Sequence, residues 1–97
     1  VNNDAEHKNT ITIGIPYPTP QNNTQVQVPI HVPMAGQFEL QLYSIEGKLI
    51  ETIWKRQTEG EQDITIMVRT SELLSGTYML RLTNGVQKAE QLLTITK

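Results

Sequence analysis

The residues that could do chemistry in this chain are few and widely spaced. His7 and His31 are its two histidines, and His7 lies close in sequence to Asp4 and Glu6. These three neighbouring side chains are of the types that bind metal ions. They lie in a polar terminal segment, however, and ordering such a segment costs conformational entropy that three ligands rarely offset. We therefore expect no metal ion and no other cofactor.

The serines and carboxylates do not form a catalytic arrangement. A serine nucleophile needs a histidine base and a positioned acid, whereas Ser44, Ser71 and Ser75 fall at predicted turns or strand ends, where small hydroxyls are common. His31 lies in a predicted strand, where we expect it to face solvent. The carboxylates are spread singly along the chain, and no glycine-rich stretch has phosphate-loop spacing. We conclude that this chain is not an enzyme.

The composition excludes several other classes of protein. The chain has 97 residues, which is the size of one domain, and it has no cysteine for a disulfide or a thiolate metal site. Eight basic residues against ten acidic ones give a net charge of -2, which does not attract nucleic acid or anionic lipid. No apolar run approaches the ~18 residues of a membrane helix. We expect no nucleic-acid partner and no direct membrane insertion.

The first residues differ in composition from the rest. Residues 1–9 are mostly polar and predict a linker or frayed terminus, followed by a single domain over residues 10–97. The chain begins at Val1 rather than Met and shows no secretory signal segment. We therefore expect a fragment or processed product, with the main activity of the parent protein encoded upstream.

From Thr10 onward, apolar and polar residues alternate with the period of a half-buried strand. The clearest example has Phe38, Leu40 and Leu42 on one face, with Glu39 and Gln41 on the other. The other apolar rows are Ile11, Ile13 and Ile15; Val26, Val28, Ile30 and Val32; Ile64, Ile66 and Val68; Tyr78, Leu80 and Leu82; and Leu92, Leu93 and Ile95. With the run after Gly47, these make seven strand candidates. They predict an all-β fold, a seven-stranded antiparallel immunoglobulin-like β-sandwich.

Three local signals predict how the strands are interrupted. Pro29 has no amide hydrogen, so its strand should lie at a sheet edge or contain a bulge. Ser71 could cap one short helical turn before Gly76. Asn84-Gly85 predicts a hairpin with a type I′ turn, in which both central residues adopt a positive φ.

Three sequence blocks, taken together, resemble the type A C-terminal sorting domain of the Bacteroidetes type IX secretion system. They are YPTPQNN, GQFELQLYSIEGKLIETI and LLSGTYMLRLTNGVQKAEQLLTITK, and the resemblance covers roughly residues 13–97. The last block is the most specific. The first departs from the usual motif, because Tyr17 stands where asparagine is common. The positions to which we assign a motif or structural role are Pro18, Pro20, Gly36, Gly47, Gly76, Tyr78, Asn84 and Gly85.

The resemblance implies a folded C-terminal signal attached to an N-terminally fused cargo. Such a signal takes its cargo from the periplasm across the outer membrane, and its partners are the secretion machinery or a shuttle and a sortase-like protease. The protease commonly removes the domain, while the cargo is attached to the surface or released. On this interpretation the outward row of the last strand is the recognised surface. We assign partner binding to Lys88, Glu90, Gln91, Thr94 and Lys97.

Two alternatives stay open at this point. The chain could be an accessory β-sandwich for adhesion or spacing, which would require a row of exposed aromatic rings. Only Tyr43 and Trp54 are free of predicted core positions, and two rings are few for a binding platform. It could also be a retained, uncleaved component of the secretion or surface-signalling apparatus.

Overall fold

The computed structural model describes residues 10–17 and 25–96, which form two antiparallel β-sheets. No helix occurs among these residues, so none of their elements could cross a membrane as a helix. The strands are β1 (Thr12–Ile13), β2 (Gln25–Val32), β3 (Gly36–Ser44), β4 (Leu49–Thr58), β5 (Gln62–Arg69), β6 (Gly76–Thr83) and β7 (Lys88–Ile95). The prediction of a seven-stranded, all-β antiparallel sandwich is confirmed.

The two sheets have the strand orders β1-β2-β5 and β4-β3-β6-β7. Hairpins join β3 to β4 and β6 to β7, whereas the connection from β4 to β5 crosses from one sheet to the other. The edge strands of the two sheets are in contact on both sides of the sandwich: β1 contacts β7, and β4 contacts β5. The terminal strand β7 is therefore an edge of the larger sheet.

The core lies between the sheets and is built from the inward side chains of the alternating runs. Each fully buried aliphatic or aromatic side chain contributes about 1.5–3 kcal/mol relative to exposure. Ile15 continues the alternation of β1 in sequence but is 70% exposed, because the strand has already ended at Ile13. The buried apolar residues are Ile11, Val26, Val28, Ile30, Val32, Phe38, Leu40, Leu42, Ile66, Val68, Leu80, Leu82, Leu93 and Ile95.

Pro29 lies in the central strand of the smaller sheet, so of the two predicted alternatives, an edge position or a bulge near Pro29, the edge position is wrong. The irregularity lies in the neighbouring segment instead. Gly14 N donates to Pro29 O at 2.7 Å, and Tyr17 and Gln27 exchange two backbone hydrogen bonds at 3.0 and 2.7 Å. Between these two contacts the chain advances by three residues from Gly14 to Tyr17, but by only two residues along β2, from Gln27 to Pro29. This extra residue is a bulge, which lets a proline occupy a central strand.

The strand directions give the sandwich two distinct ends. The proximal end contains Thr10 and the loops 33–35, 59–61 and 84–87. The distal end contains Tyr17, the turn 45–48, the loop 70–75 and Thr96. The described chain thus enters the sandwich at one end and leaves it at the other.

We expect Gly14→Ala to destabilise the domain. A Cβ at this position would lie 2.8 Å from Pro29 Cγ, and the proline ring is held by its own backbone. Such overpacking typically costs about 1–3 kcal/mol, and each kilocalorie lowers the melting temperature of a domain this size by about 4–8 °C. Gly60→Ala is the matched control, because nothing lies within 4 Å of its Cβ. Equal melting temperatures for the two variants would contradict this steric account.

Candidate functional site

Strand β7 forms a regular edge, open in the sense that no described strand is hydrogen-bonded to its outer side, although β1 of the smaller sheet is in contact with β7. It pairs with β6 in one register over its whole length, from Thr83–Lys88 to Gly76–Ile95. Within residues 10–17 and 25–96 it has no second hydrogen-bonded neighbour. One row of its backbone donors and acceptors is therefore left unpaired by the described part of the chain.

The register shows which backbone groups point toward this open edge. Asn84 N donates to Gln87 O at 3.2 Å, so the ladder begins with a hydrogen-bonded pair in the loop. Because antiparallel pairs alternate between bonded and non-bonded, Ala89, Gln91 and Leu93 bond to β6. The residues whose N–H and C=O groups face the open edge are Lys88, Glu90, Leu92 and Thr94.

The same four residues place their side chains on the outer face of the sheet. Lys88, Glu90 and Thr94 thus lie where the sequence predicted. The outward assignment of Gln91 is wrong: it shares the inner face with Leu93 and is half-buried. Leu92, which was grouped with the core residues, is 52% exposed on the outer face. Lys97, Pro18 and Pro20 lie outside the described residues.

A cross-strand network holds Glu90 in place. Arg81 Nε and Nη2 contact Glu90 Oε2 at 2.9 and 2.7 Å, and the Arg81 guanidinium lies over the Tyr43 ring, 4.5 Å from its centroid. Tyr43 OH donates to Gln41 Oε1 at 3.0 Å, and Gln41 Nε2 donates to Glu39 Oε1 at 3.1 Å. The carboxylate of Glu90 is thus neutralised within the domain. Sequence reasoning missed Arg81, because only the strand register brings it opposite Glu90.

An apolar row crosses the outer face beside this network. Leu49 of β4 is opposite Tyr43 of β3, Tyr43 is opposite Met79 of β6, and Met79 is opposite Leu92 of β7. Leu49 and Leu92 are 47% and 52% exposed, while the two middle side chains are half-buried. The row runs from one edge of the sheet to the other and ends at the open side of β7.

The opposite edge of the same sheet is irregular. Strand β4 has register shifts against β3 between Leu40 and Gln41 and between Leu42 and Tyr43. Each shift leaves one extra residue in β4, and bulges of this kind obstruct the addition of another strand. Of the two edges of the larger sheet, β7 is therefore the one with a continuous template.

The hairpin that presents β7 is confirmed, but its turn type is wrong in the prediction. Thr83 pairs with Lys88 across a four-residue loop, 84–87, and only Gly85 in this loop has a positive φ, +93°. Asn84 Oδ1 instead accepts hydrogen bonds from Val86 N and Gln87 N at 2.9 and 2.7 Å. The side chain of Asn84 and the positive φ of Gly85 together shape the loop.

The remaining motif residues have structural positions. Tyr78 OH donates to Leu74 O at 2.7 Å and ties β6 to the loop 70–75. Leu73 N donates to Thr70 O at 3.1 Å, which closes a turn and not the helical turn predicted after Ser71. Glycines begin β3 and β6 at positions 36 and 76. Gly47, with φ +94°, closes the β3–β4 turn onto Ser44 O.

His31 contacts two carboxylates at the surface of the smaller sheet. Its Nδ1 lies 2.7 Å from Asp63 Oδ1 and its Nε2 lies 3.3 Å from Glu61 Oε2, with the side chain 27% exposed. Asp63 is its direct cross-strand partner. Among the described residues, no group of histidine, aspartate and glutamate side chains is arranged to hold a metal ion. The predicted cluster with His7 lies outside those residues.

These features define an immunoglobulin-like β-sandwich with a regular terminal edge strand. A sequence family described as the secretion system C-terminal sorting domain matches residues 16–96, and the chain belongs to this family. It is a C-terminal sorting signal of the type IX secretion system, whose substrates are exported across the outer membrane to the cell surface or the extracellular space. The family is not known as enzymatic.

Structural comparison supports the fold. The chain is similar to the crystal structure of the CARDB domain of a Pyrococcus furiosus protein, solved in complex with di-metal ions. The TM-score is 0.52 and the identity is 12%, over 90% of this chain and 86% of that chain. No curated protein matches the sequence. The likeness concerns the sandwich alone.

We expect Asn84→Ala to destabilise the terminal hairpin. The substitution leaves two backbone N–H groups without their acceptor, and each hydrogen bond contributes a net ~0.5–1.5 kcal/mol. Asn84→Asp is the matched control, since it retains an acceptor oxygen at Oδ1. Chemical denaturation of the three proteins measures the difference. If the alanine and aspartate variants are equally stable, the side chain does not shape the loop.

Proposed function

We propose that the secretion machinery recognises this sorting domain by pairing a strand of its own with the open edge of β7. The observation that carries the proposal is the uninterrupted register of β7 against β6. Strand addition supplies affinity through main-chain hydrogen bonds and selectivity through alternate side chains. The four edge-facing residues of β7 offer two backbone groups each, and each bond formed adds a net ~0.5–1.5 kcal/mol.

The ends of the sandwich fit a role as an appended signal. On this proposal residues 1–9 form the linker to an N-terminally fused cargo, and residues 10–97 form the signal. The described chain enters at the proximal end, whereas β7 runs from there to the distal end. The domain would then carry its cargo through the periplasm, engage the machinery or its shuttle along β7, and be removed by a sortase-like protease.

The adhesion alternative is less well supported. A carbohydrate-binding or adhesive face needs exposed aromatic rings in a row. The ring of Tyr43 is covered by Arg81, and Trp54 is half-buried against the core. A retained component of the apparatus would use the same β7 edge without proteolytic removal. Whether the exported cargo still carries the domain distinguishes that alternative from a cleaved signal.

We expect Thr94→Pro to abolish export of a fused cargo while the domain stays folded. The N–H of Thr94 points away from β6, so proline removes an open-edge donor and no bond within the sheet. Proline is tolerated in edge strands at positions of this kind. The measurement is the fraction of cargo on the surface or in the medium against the fraction retained in the periplasm, after the melting temperature is checked.

Two controls separate the possible causes of lost export. Thr65→Pro makes the same change on β5, an edge strand of the smaller sheet. Thr65 is opposite Pro29 of β2, and because Pro29 bonds toward β1, the N–H of Thr65 also points away from β2 to an open edge. Thr94→Val changes the side chain but keeps the amide. Export by a folded Thr94→Pro variant at the wild-type level would exclude strand pairing at β7. If the cargo is still exported after the whole domain is removed, the domain is not required for sorting of that cargo.

A further inference from the structure

The outer row of β7 has an unequal distribution of charge. Lys88 is exposed, and none of the ion pairs between described residues involves it. Glu90, by contrast, is neutralised by Arg81 at 2.7 Å. Leu92 is apolar and Thr94 is a neutral polar residue. A partner strand lying beside β7 therefore meets one uncompensated positive charge and one exposed apolar side chain, four residues apart.

The apolar row strengthens the preference for an apolar partner residue beside Leu92, compared with an isolated exposed leucine. Leu49, Tyr43, Met79 and Leu92 are successive cross-strand neighbours on this face. A strand added beyond β7 extends this row by one position. Direct cross-strand neighbours lie ~4.5–5.5 Å apart at Cβ and interact. An apolar side chain there would pack on Leu92, whereas a charged one would be desolvated against it.

The position beside Lys88 has the opposite requirement. A carboxylate there is the direct cross-strand partner of an ammonium group, and a second basic residue is repelled. The position between them, beside Glu90, needs no base because Arg81 already supplies one. Sequence selectivity is thereby concentrated at two of the four outward positions.

We propose that the element recognised by β7 is an extended strand of the secretion machinery with one apolar residue beside Leu92 and one carboxylate beside Lys88. These two partner residues lie four positions apart on the same face. The proposal rests on the proposed function, since it takes the pairing of a partner strand with β7 as given. It adds the chemistry by which that strand is selected.

The test places the partner strand in the same molecule. The full chain is extended after Lys97 by a turn and a strand of the same length as β7, so that the new strand folds back along the open edge at high effective concentration. The matched strand has valine beside Leu92 and glutamate beside Lys88. The exchanged strand has the same composition with these two residues swapped, so its glutamate lies beside Leu92 and its valine beside Lys88.

Hydrogen exchange of the Lys88, Leu92 and Thr94 amides is the readout, because these N–H groups point to the open edge. The matched strand should slow their exchange about fivefold or more relative to the exchanged strand, as two favourable cross-strand pairs predict. In a chain with Lys88→Glu, a strand with lysine at that position should restore the protection lost by the glutamate strand. This charge exchange keeps the test decisive even if one appended strand is poorly ordered.

Each outcome bears on a different statement. Equal protection by the matched and exchanged strands overturns the proposed pattern and leaves strand pairing intact. No protection by either strand, nor by the charge-exchanged pair, contradicts strand pairing at β7 itself. Protection by the matched strand with retention of a fused cargo in the periplasm supports both, because the appended strand then occupies the edge that the machinery needs.

Discussion

The alternation of a β-strand is the constraint on which the rest of this domain depends. In β7 the burial of Leu93 and Ile95 fixes the inner face, and it thereby fixes the outer face as well. Because the strand pairs with β6 in the observed register, the same parity decides which backbone groups are bonded and which face the open edge. The register of β7 therefore determines three things together: which side chains are buried, which face outward, and which backbone groups lie at the open edge. A slip of one residue would reverse all of them.

Most of the fold follows from the sequence because the period of two is strong. Rows such as Val26, Val28, Ile30 and Val32 could be placed on one buried face before any partner strand was known, and all four are buried. Consecutive leucines were harder. Leu92 and Leu93 allow either parity locally, and pairing with β6 selects the one in which Leu93 is buried. Gln91 was misplaced for the same reason.

The parts of the surface that sequence reasoning missed depend on neighbours distant in the chain. Arg81 and Glu90 are joined by a hairpin, but Tyr43 reaches Arg81 only because β3 lies between β4 and β6. The apolar row likewise needs the order of all four strands. Pro29 is a case in which a local signal was correct but incomplete. The proline predicted an irregularity in the sheet, but the bulge lies in the adjoining segment that contains Gly14. Local propensity locates such features in the chain, and topology decides which strand accommodates them.

The separation of the two ends of the sandwich has a consequence for the direction from which β7 is approached. The described chain enters at the proximal end, where β1 begins, whereas Thr94 of β7 lies close to the distal end. Thr10 itself lies most of the length of a strand away from the last residues of β7. On the proposed function, the cargo is therefore attached at the end of the sandwich that lies far from Thr94. On the proposed pairing, a partner strand that approached β7 from its distal end would meet Thr94 and Leu92 first, and would reach Lys88, at the end where the cargo is attached, last.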